Sequence, residues 1–344
     1  MTNHITLGGD VASALTHFAS YGAAFIARDL TNSPVFTRWT NENTPRVVLT
    51  SDIATEALAL NIKKIASNWA EGWTSARVKY AGGTFSPFSP RFKAIDPVKN
   101  AGDWVVHQQT RQKLIDQLRN DKDFLALQFI TGLGEAAYWR FDKKSPRPDH
   151  GASRWEMVSR TKGKEFISDR LAPMCKELAT WEVSWISEGI QGFQIRDTIA
   201  PNPSESRTST GLTPPGPNDV ALSFLGLLGL SQFPTLPLVS GISVTAGAYP
   251  VSVLHPQVAA LPVFNQSLTL ESIHAIINSL EWFMVTKEIC SNAVTSNSAE
   301  ETNKSARKYL VQRGVPAAAR FTIRKSGSSM APERNLERGE LVLL

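Results

Sequence analysis

Apolar residues recur at helical spacing through the first third of the chain. Asp10 to Arg28, DVASALTHFASYGAAFIAR, starts at a plausible cap and presents a small-residue surface suited to close packing, so it predicts a core helix. Ser51 to Trp69 opens on Ser-Asp and places Ile53, Ala57, Leu58, Ile62 and Ile65 on one stripe. Asp103 to Asn120 repeats the device with Trp104, Val105, Leu114, Ile115 and Leu118. Between them, AGGTFSPFSPRFK at 81–93 holds paired glycines and two prolines, which rule out a regular helix and predict a long loop anchored by Phe85, Phe88 and Phe92.

The second half has a different pattern. Glu165 to Trp181 reads as a helix that Pro173 must end, kink or split, and GFQIRD at 192–197 alternates as a short strand. Residues 200–218, APNPSESRTSTGLTPPGPN, are too rich in Pro, Ser, Thr and Gly for a regular element. They lead into DVALSFLGLLGLSQF at 219–233, a strongly apolar helix with an Asn-Asp start. ISVTAGAYPVSVL at 242–254 reads as two short strands about a Gly-Ala turn, Leu270 to Cys290 as one long helix, and AARFTIRK at 318–325 as a terminal strand with Phe321 and Ile323 facing a core. The sum is an α+β fold, helix-rich, with short antiparallel strands. It divides into an N-terminal basic part at 1–200, a linker or loop at 201–218 and a C-terminal part at 219–344, with a single intertwined domain as the alternative.

Composition changes this picture little. The chain has 344 residues, 42% hydrophobic, enough to bury a substantial core. Cys175 and Cys290 are its only cysteines, without CxxC spacing, which speaks against a disulfide framework or a cysteine-rich zinc site and fits a reducing cytoplasm. MTNHITLGGD lacks a basic region followed by an apolar core, and no run of about 18 apolar residues occurs, so neither secretion nor a membrane span is expected.

Charge is more informative. The net charge is +5, unevenly spread: residues 73–170 carry eighteen basic and eleven acidic side chains, residues 171–303 four and eleven, residues 304–338 nine and two. Two basic regions thus flank an acidic, apolar centre, a distribution that lines one groove if the fold brings the flanks together. The densest stretch, Gly134 to Arg170, interleaves nine Lys/Arg with aromatics and is broken by Pro146, Pro148 and Gly151. Phosphates release counterions when such cations neutralise them, and Trp155 can stack on a base. The competing explanation is a polar surface loop over buried aromatics. Lys143, Lys144, Arg147, Arg154, Trp155, Arg160, Lys162, Lys164, Arg207, Arg320, Arg324 and Lys325 form the candidate nucleic-acid contacts. In the loop before them, Gly82 and Gly83 allow close backbone approach, Arg91 and Lys93 can enter a groove and Phe88 can wedge a base step, as a candidate motif-reading element; a core-anchored loop is the plainer alternative.

Catalytic constellations are missing from the sequence. There is no GxSxG, HExxH or GxGxxG, and GKE at 163–165 lacks the rest of a phosphate-binding loop. His4, His17, His107, His150, His255 and His274 form no close pair, and Asp149-His150 has no second partner nearby, so neither a metal nor another cofactor is expected. Glu135, Glu156 and Glu165 each lie near Arg or Lys and fit surface ion pairs better than acid or base roles.

The blocks GEAAYWRFD, GASRWEMVSRTKGKEFISDRLAPM, RTSTGLTPPGPNDVALSFLGLLGLSQFP, RGVPAAARF and APERNLERGE, scattered over about residues 130–340, resemble the CRISPR-associated proteins of type I-G (formerly I-U) loci that occupy the place of the Cascade large subunit. None of these blocks is a catalytic signature. The resemblance implies a large-subunit-like, non-catalytic member of an RNA-guided surveillance complex. Its partners would be crRNA, target double-stranded DNA, the other Cascade subunits and a helicase-nuclease recruited after target binding. Such subunits read the protospacer-adjacent motif and help open the duplex, while base pairing reads sequence. Two departures stand out: this chain is shorter than most large subunits, and no C-terminal helical bundle is evident. The alternatives are the crRNA-binding backbone subunit of the same complex, whose βαββαβ order does not lay onto this sequence, an enzyme clamping an anionic substrate with Arg154, Arg160 and Arg207, and an oligomeric structural protein.

Overall fold

A computed structural model of the chain describes residues 2–80, 83–88, 101–133, 139–140, 147–148, 167–199, 210–233, 244–251, 253, 256–291, 297–328 and 331–344. The fold is α+β, as the periodicity predicts. In the first part, β1 (Asn3–Thr6) leads to α1 (Ala14–Ala27), followed by β2 (Phe36–Trp39), β3 (Val47–Ser51) and α2 (Thr55–Glu71). Then come β4 (Val78–Tyr80), β5 (Gly83–Phe85), α3 (Ala101–Asn120), α4 (Phe124–Leu133), β6 (Trp139–Arg140) and β7 (Arg147–Pro148). A π-helical turn over Ile167–Leu171 opens α5 (Ala172–Thr180), and α6 (Val183–Gln191) and α7 (Val220–Leu230) follow. The chain continues through β8 (Ala248–Tyr249), β9 (Val258–Val263), α8 (Leu270–Ile277), α9 (Leu280–Cys290), α10 (Asn297–Gln312), β10 (Ala317–Ser328), β11 (Ala331–Leu336) and β12 (Glu340–Leu343).

Helices α1 and α7 form the centre. Every residue of both is buried, which explains why neither shows an amphipathic stripe: a helix surrounded on all sides has no polar face to display. They cross closely because glycines let the backbones meet. A Cβ on Gly22 would sit 2.0 Å from the Leu225 carbonyl oxygen, and one on Gly229 1.7 Å from that of Phe18. Asp219 starts α7 by accepting from the backbone N–H groups of Ala221 and Leu222 at 2.9 and 3.1 Å. Helix α2 shows the opposite pattern: Leu58, Ala59, Ile62, Ile65, Ala66, Trp69 and Ala70 make one buried stripe against α5 and α6.

Two larger antiparallel sheets pack with the helices, beside the two-stranded pairs β4–β5 and β6–β7. The first has the order β1-β3-β2, in register with Ile5 opposite Leu49 and Leu49 opposite Thr37. The second runs β11-β10-β9-β8, with β12 also pairing with β10. Strand β10 pairs with β9 and β12 along its first half and with β11 along its second, so the end of β10 and β11 form a hairpin arm reaching beyond β9. Reciprocal backbone bonds between Thr37 and Leu268, at 2.8 and 2.9 Å, tie β2 of the first sheet to the connection that follows β9 of the second.

Several elements differ from the sequence expectation. Helix α1 starts at Ala14, capped by Ser13; Asp10 instead accepts from Ala12 N–H and pairs with Arg338 at 2.6 Å. Ser51 belongs to β3, opposite Asn3, and α2 starts four residues later. GFQIRD is not a strand. Gly192 takes a left-handed conformation (φ 74°) that terminates α6, and Arg196 N–H is held by the Asp219 carboxylate at 3.0 Å, so these backbone groups serve helix ends rather than a ladder. The predicted helix 270–290 breaks at Asn278–Ser279, where the Ser279 hydroxyl accepts from Trp282 N–H at 3.1 Å and restarts the helix as α9. Of two strands expected in 242–254, the described residues contain β8 alone, paired to β9, a strand whose near-continuous apolar run shows no alternation. Pro173 sits in the first turn of α5, directly after the π-helical turn over Ile167–Leu171, so the helical path changes type at the proline.

Candidate nucleic-acid interface

The cations of the terminal strand are laid out by the period of β10. Arg320 and Arg324, four residues apart, share a face, as the alternation predicts. Each meets a carboxylate on the strand or turn beside it: Arg320 pairs with Glu340 and Arg324 with Glu337, both at 3.6 Å. Pairs of this length at the surface contribute about 1 kcal/mol or less and exchange readily for another anion. Lys325 lies on the opposite face, the one from which Phe321 enters the core against the His17 ring.

Lys325 stands directly across from Arg334 of β11. Cβ atoms so placed lie roughly 5 Å apart, so the two cationic side chains leave the same face of the hairpin arm side by side. Neither has an ion-pair partner among the described residues. Partial burial holds the Arg334 guanidinium below its ordinary pKa, and no carboxylate among the described residues offsets the effect. Like charges directly opposed across a sheet destabilise it, and an anion bridging them removes that cost. Sequence reasoning singles out Lys325 but not Arg334, because register, and not composition, brings the two together.

Helix α10 adds a second basic surface that the sequence shows only as charge. Arg307 is committed to structure, donating to Glu288 at 3.1 Å and to the Leu343 carbonyl. Lys308, Tyr309 and Arg313 are exposed, and the Arg313 guanidinium lies 5.2 Å from the centre of the Tyr309 ring. Two cations and an aromatic within one and a half helical turns suit a phosphate and a stacked base.

The remaining sequence candidates fall as follows. Lys143, Lys144, Arg154, Trp155, Arg160, Lys162, Lys164, Arg207, Gly82, Arg91 and Lys93 lie outside the described residues. Arg147 is placed by its backbone in β7, opposite Arg140 of β6. Gly83 pairs with Tyr80 in the β4–β5 hairpin. Phe88 is fully buried, its ring edge-on to Trp73 at 5.8 Å, so it anchors its segment and has no surface with which to wedge a base step. A cleft of about 1310 Å³ between α2, the end of α3 and α5 carries Lys64 and Lys176 but also Glu71, Asp121 and Asp123, so it concentrates no single sign of potential. Asp123 there is a structural residue, accepting from Trp69 Nε1 at 2.7 Å and from Ala126 N–H at 3.0 Å at the start of α4.

Both cysteines are deeply or partly buried, with thiols pushed up by desolvation, Cys290 to about 12, which makes them poor nucleophiles. Among the described residues no three His, Cys, Asp or Glu side chains come together as a metal-ligand group, and no helix is long and apolar enough to cross a membrane. Comparison with models of known protein families gives no match, and comparison with curated proteins gives none either.

Proposed function

We propose that this chain is a non-catalytic, nucleic-acid-binding subunit of a type I RNA-guided surveillance complex, holding the phosphate backbone of guide RNA or target DNA. The observation that carries the reading is the Lys325–Arg334 pair: two opposed cations on a projecting hairpin, without a carboxylate among the described residues to neutralise them. Lys308, Tyr309 and Arg313 supply a second contact of the same chemistry. The resemblance to Cascade large subunits supplies the biological setting, with crRNA, target duplex, neighbouring subunits and a recruited helicase-nuclease as partners. Motif reading is assigned to the segment around Arg91 and Lys93, and not to Phe88.

Binding of a labelled 20-nucleotide single-stranded RNA and of a duplex DNA, measured across salt concentrations, tests the reading. Lys325→Ala and Arg334→Ala should each weaken binding and lower the slope of log K against log salt by roughly 0.7 to 0.9 for each phosphate that is no longer neutralised. Unchanged slopes in the double variant remove the hairpin from the interface. Magnesium-dependent cleavage that co-purifies with the monomer refutes the non-catalytic assignment.

A further inference from the structure

The first sheet carries chemistry on the side turned away from the core. Side chains alternate across it: Ile5, Thr37 and Leu49 are buried on the side of α1, where the Trp39 ring meets His17, so His4, Phe36, Arg38, Val48 and Thr50 line the other side. There Thr50 stands between Phe36 and His4, and Val48 directly opposite Arg38. His4 is exposed, and Phe36, Arg38 and Thr50 are half-buried. Val48 is buried although it lies outside the main core, as expected where the stem of Arg38 lies across it. An aromatic ring and a guanidinium two residues apart on one strand, about 7 Å along the sheet, can hold a base and its phosphate.

Charge on this side selects the ligand. The Arg38 guanidinium has neither a carboxylate nor a hydrogen-bond acceptor among the described residues. Arg46, diagonal to it and roughly 7–8 Å away, donates to the Leu7 and Gln191 carbonyls at 3.2 and 3.4 Å, which leave its charge uncancelled. From Phe36 to Asp52 the carboxylates are Glu42 and Asp52. Asp52 is engaged, accepting from the Thr31 and Ser33 hydroxyls at 3.0 and 2.9 Å. It stands four residues beyond Val48, a separation of about 13 Å that exceeds the screening length of roughly 10 Å at 0.1 M salt. Glu42 is exposed in the turn between β2 and β3. We infer that this side of the sheet is a second contact for single-stranded nucleic acid, in which an unpaired base stacks on Phe36 while its phosphate meets Arg38. A duplex, whose bases are already stacked on one another, cannot use Phe36 in this way. The inference rests on the reading of the chain as a nucleic-acid binder, and not on the hairpin arm.

The test titrates the full chain against a labelled 20-nucleotide single-stranded RNA and a duplex DNA across salt concentrations. Arg38→Gln should weaken RNA binding and lower the slope of log K against log salt by about 0.7. Phe36→Leu, which keeps the position apolar, should weaken RNA binding about fivefold or more at an unchanged slope, because stacking releases no counterion. Phe36→Tyr should bind RNA as the parent does, and duplex affinity should be the same in Phe36→Leu as in the parent. Parent-like RNA affinity in both Arg38→Gln and Phe36→Leu, a lower salt slope in Phe36→Leu, or an equal loss for duplex DNA overturns the site. Failure of the hairpin reading looks different: RNA binding then persists at an unchanged slope when Lys325 and Arg334 are replaced by Ala, and still depends on Phe36. A parent protein that binds no RNA overturns both.

Discussion

Lowering the pH from 7 to 4.5 should destabilise this protein chiefly through His17. Its ring is fully buried on α1, 4.4 Å from the Trp39 ring and edge-on to Phe321 at 5.5 Å. Nε2 lies 2.8 Å from the Val11 carbonyl oxygen, which requires a proton on Nε2, so in the neutral ring Nδ1 is the bare nitrogen. Protonating Nδ1 would place an N–H among aromatic faces with no acceptor, since that atom has no partner. Burial accordingly pushes the pKa from 6.5 down to about 4, outweighing the Val11 carbonyl and the attraction of Asp10. The unfolded chain takes up this proton near pH 6.5 and the folded one only near 4, so stability is complete above 6.5 and falls as pH drops through that window. At pH 4.5 the penalty is about 2–3 kcal/mol, from about 1.4 kcal/mol per pKa unit. Urea unfolding at pH 7, 6, 5 and 4.5 measures it, and His17→Gln, whose amide can still donate to Val11, should flatten the dependence. His274 is also lowered by burial, which leaves a smaller residual slope. A His17→Gln protein with the same pH dependence as the parent would refute the argument, as would imidazole NMR shifts titrating near 6.5.

Glycine positions give a paired test. Gly229→Ala drives a methyl group to 1.7 Å from the Phe18 carbonyl oxygen and should cost about 2 kcal/mol or more net of improved helix propensity, whereas Gly102→Ala, with nothing within 4 Å, should stabilise by up to ~1 kcal/mol in thermal melts. Asp219→Ala removes the acceptor of three backbone N–H groups and should cost about 2–3 kcal/mol by chemical denaturation. Phe88→Ala should reduce stability by roughly 3–5 kcal/mol, and a variant as stable as the parent would mean that the ring is free to meet nucleic acid after all. Lys308→Ala with Arg313→Ala should weaken RNA binding in anisotropy assays without moving the melting temperature, because both side chains are exposed.

The α+β class and the buried helices were legible because long apolar runs such as 219–233 admit few other readings. Boundaries were not, wherever a polar residue could serve two ends: Ser51 suits a helix cap, yet the ladder with Asn3 claims it, and Asp10 suits α1, yet Ser13 takes that place. Alternation misled at GFQIRD, since period two also describes an extended connection whose N–H groups are used elsewhere. At the candidate interface, the period of the terminal strand placed Arg320 and Arg324 on a common face correctly. The Lys325–Arg334 opposition depends on a pairing that no local pattern carries.

The crossing of α1 and α7 has a consequence for synthesis of the protein. Fourteen residues with no polar face leave the ribosome some two hundred positions before the helix that covers them. At about 5–20 residues per second, α1 stays unpaired for roughly ten to forty seconds. During that interval its apolar surface must be shielded by a chaperone or buried in a provisional contact, and a nascent chain arrested before Val220 should expose α1 to whatever apolar surface it meets first.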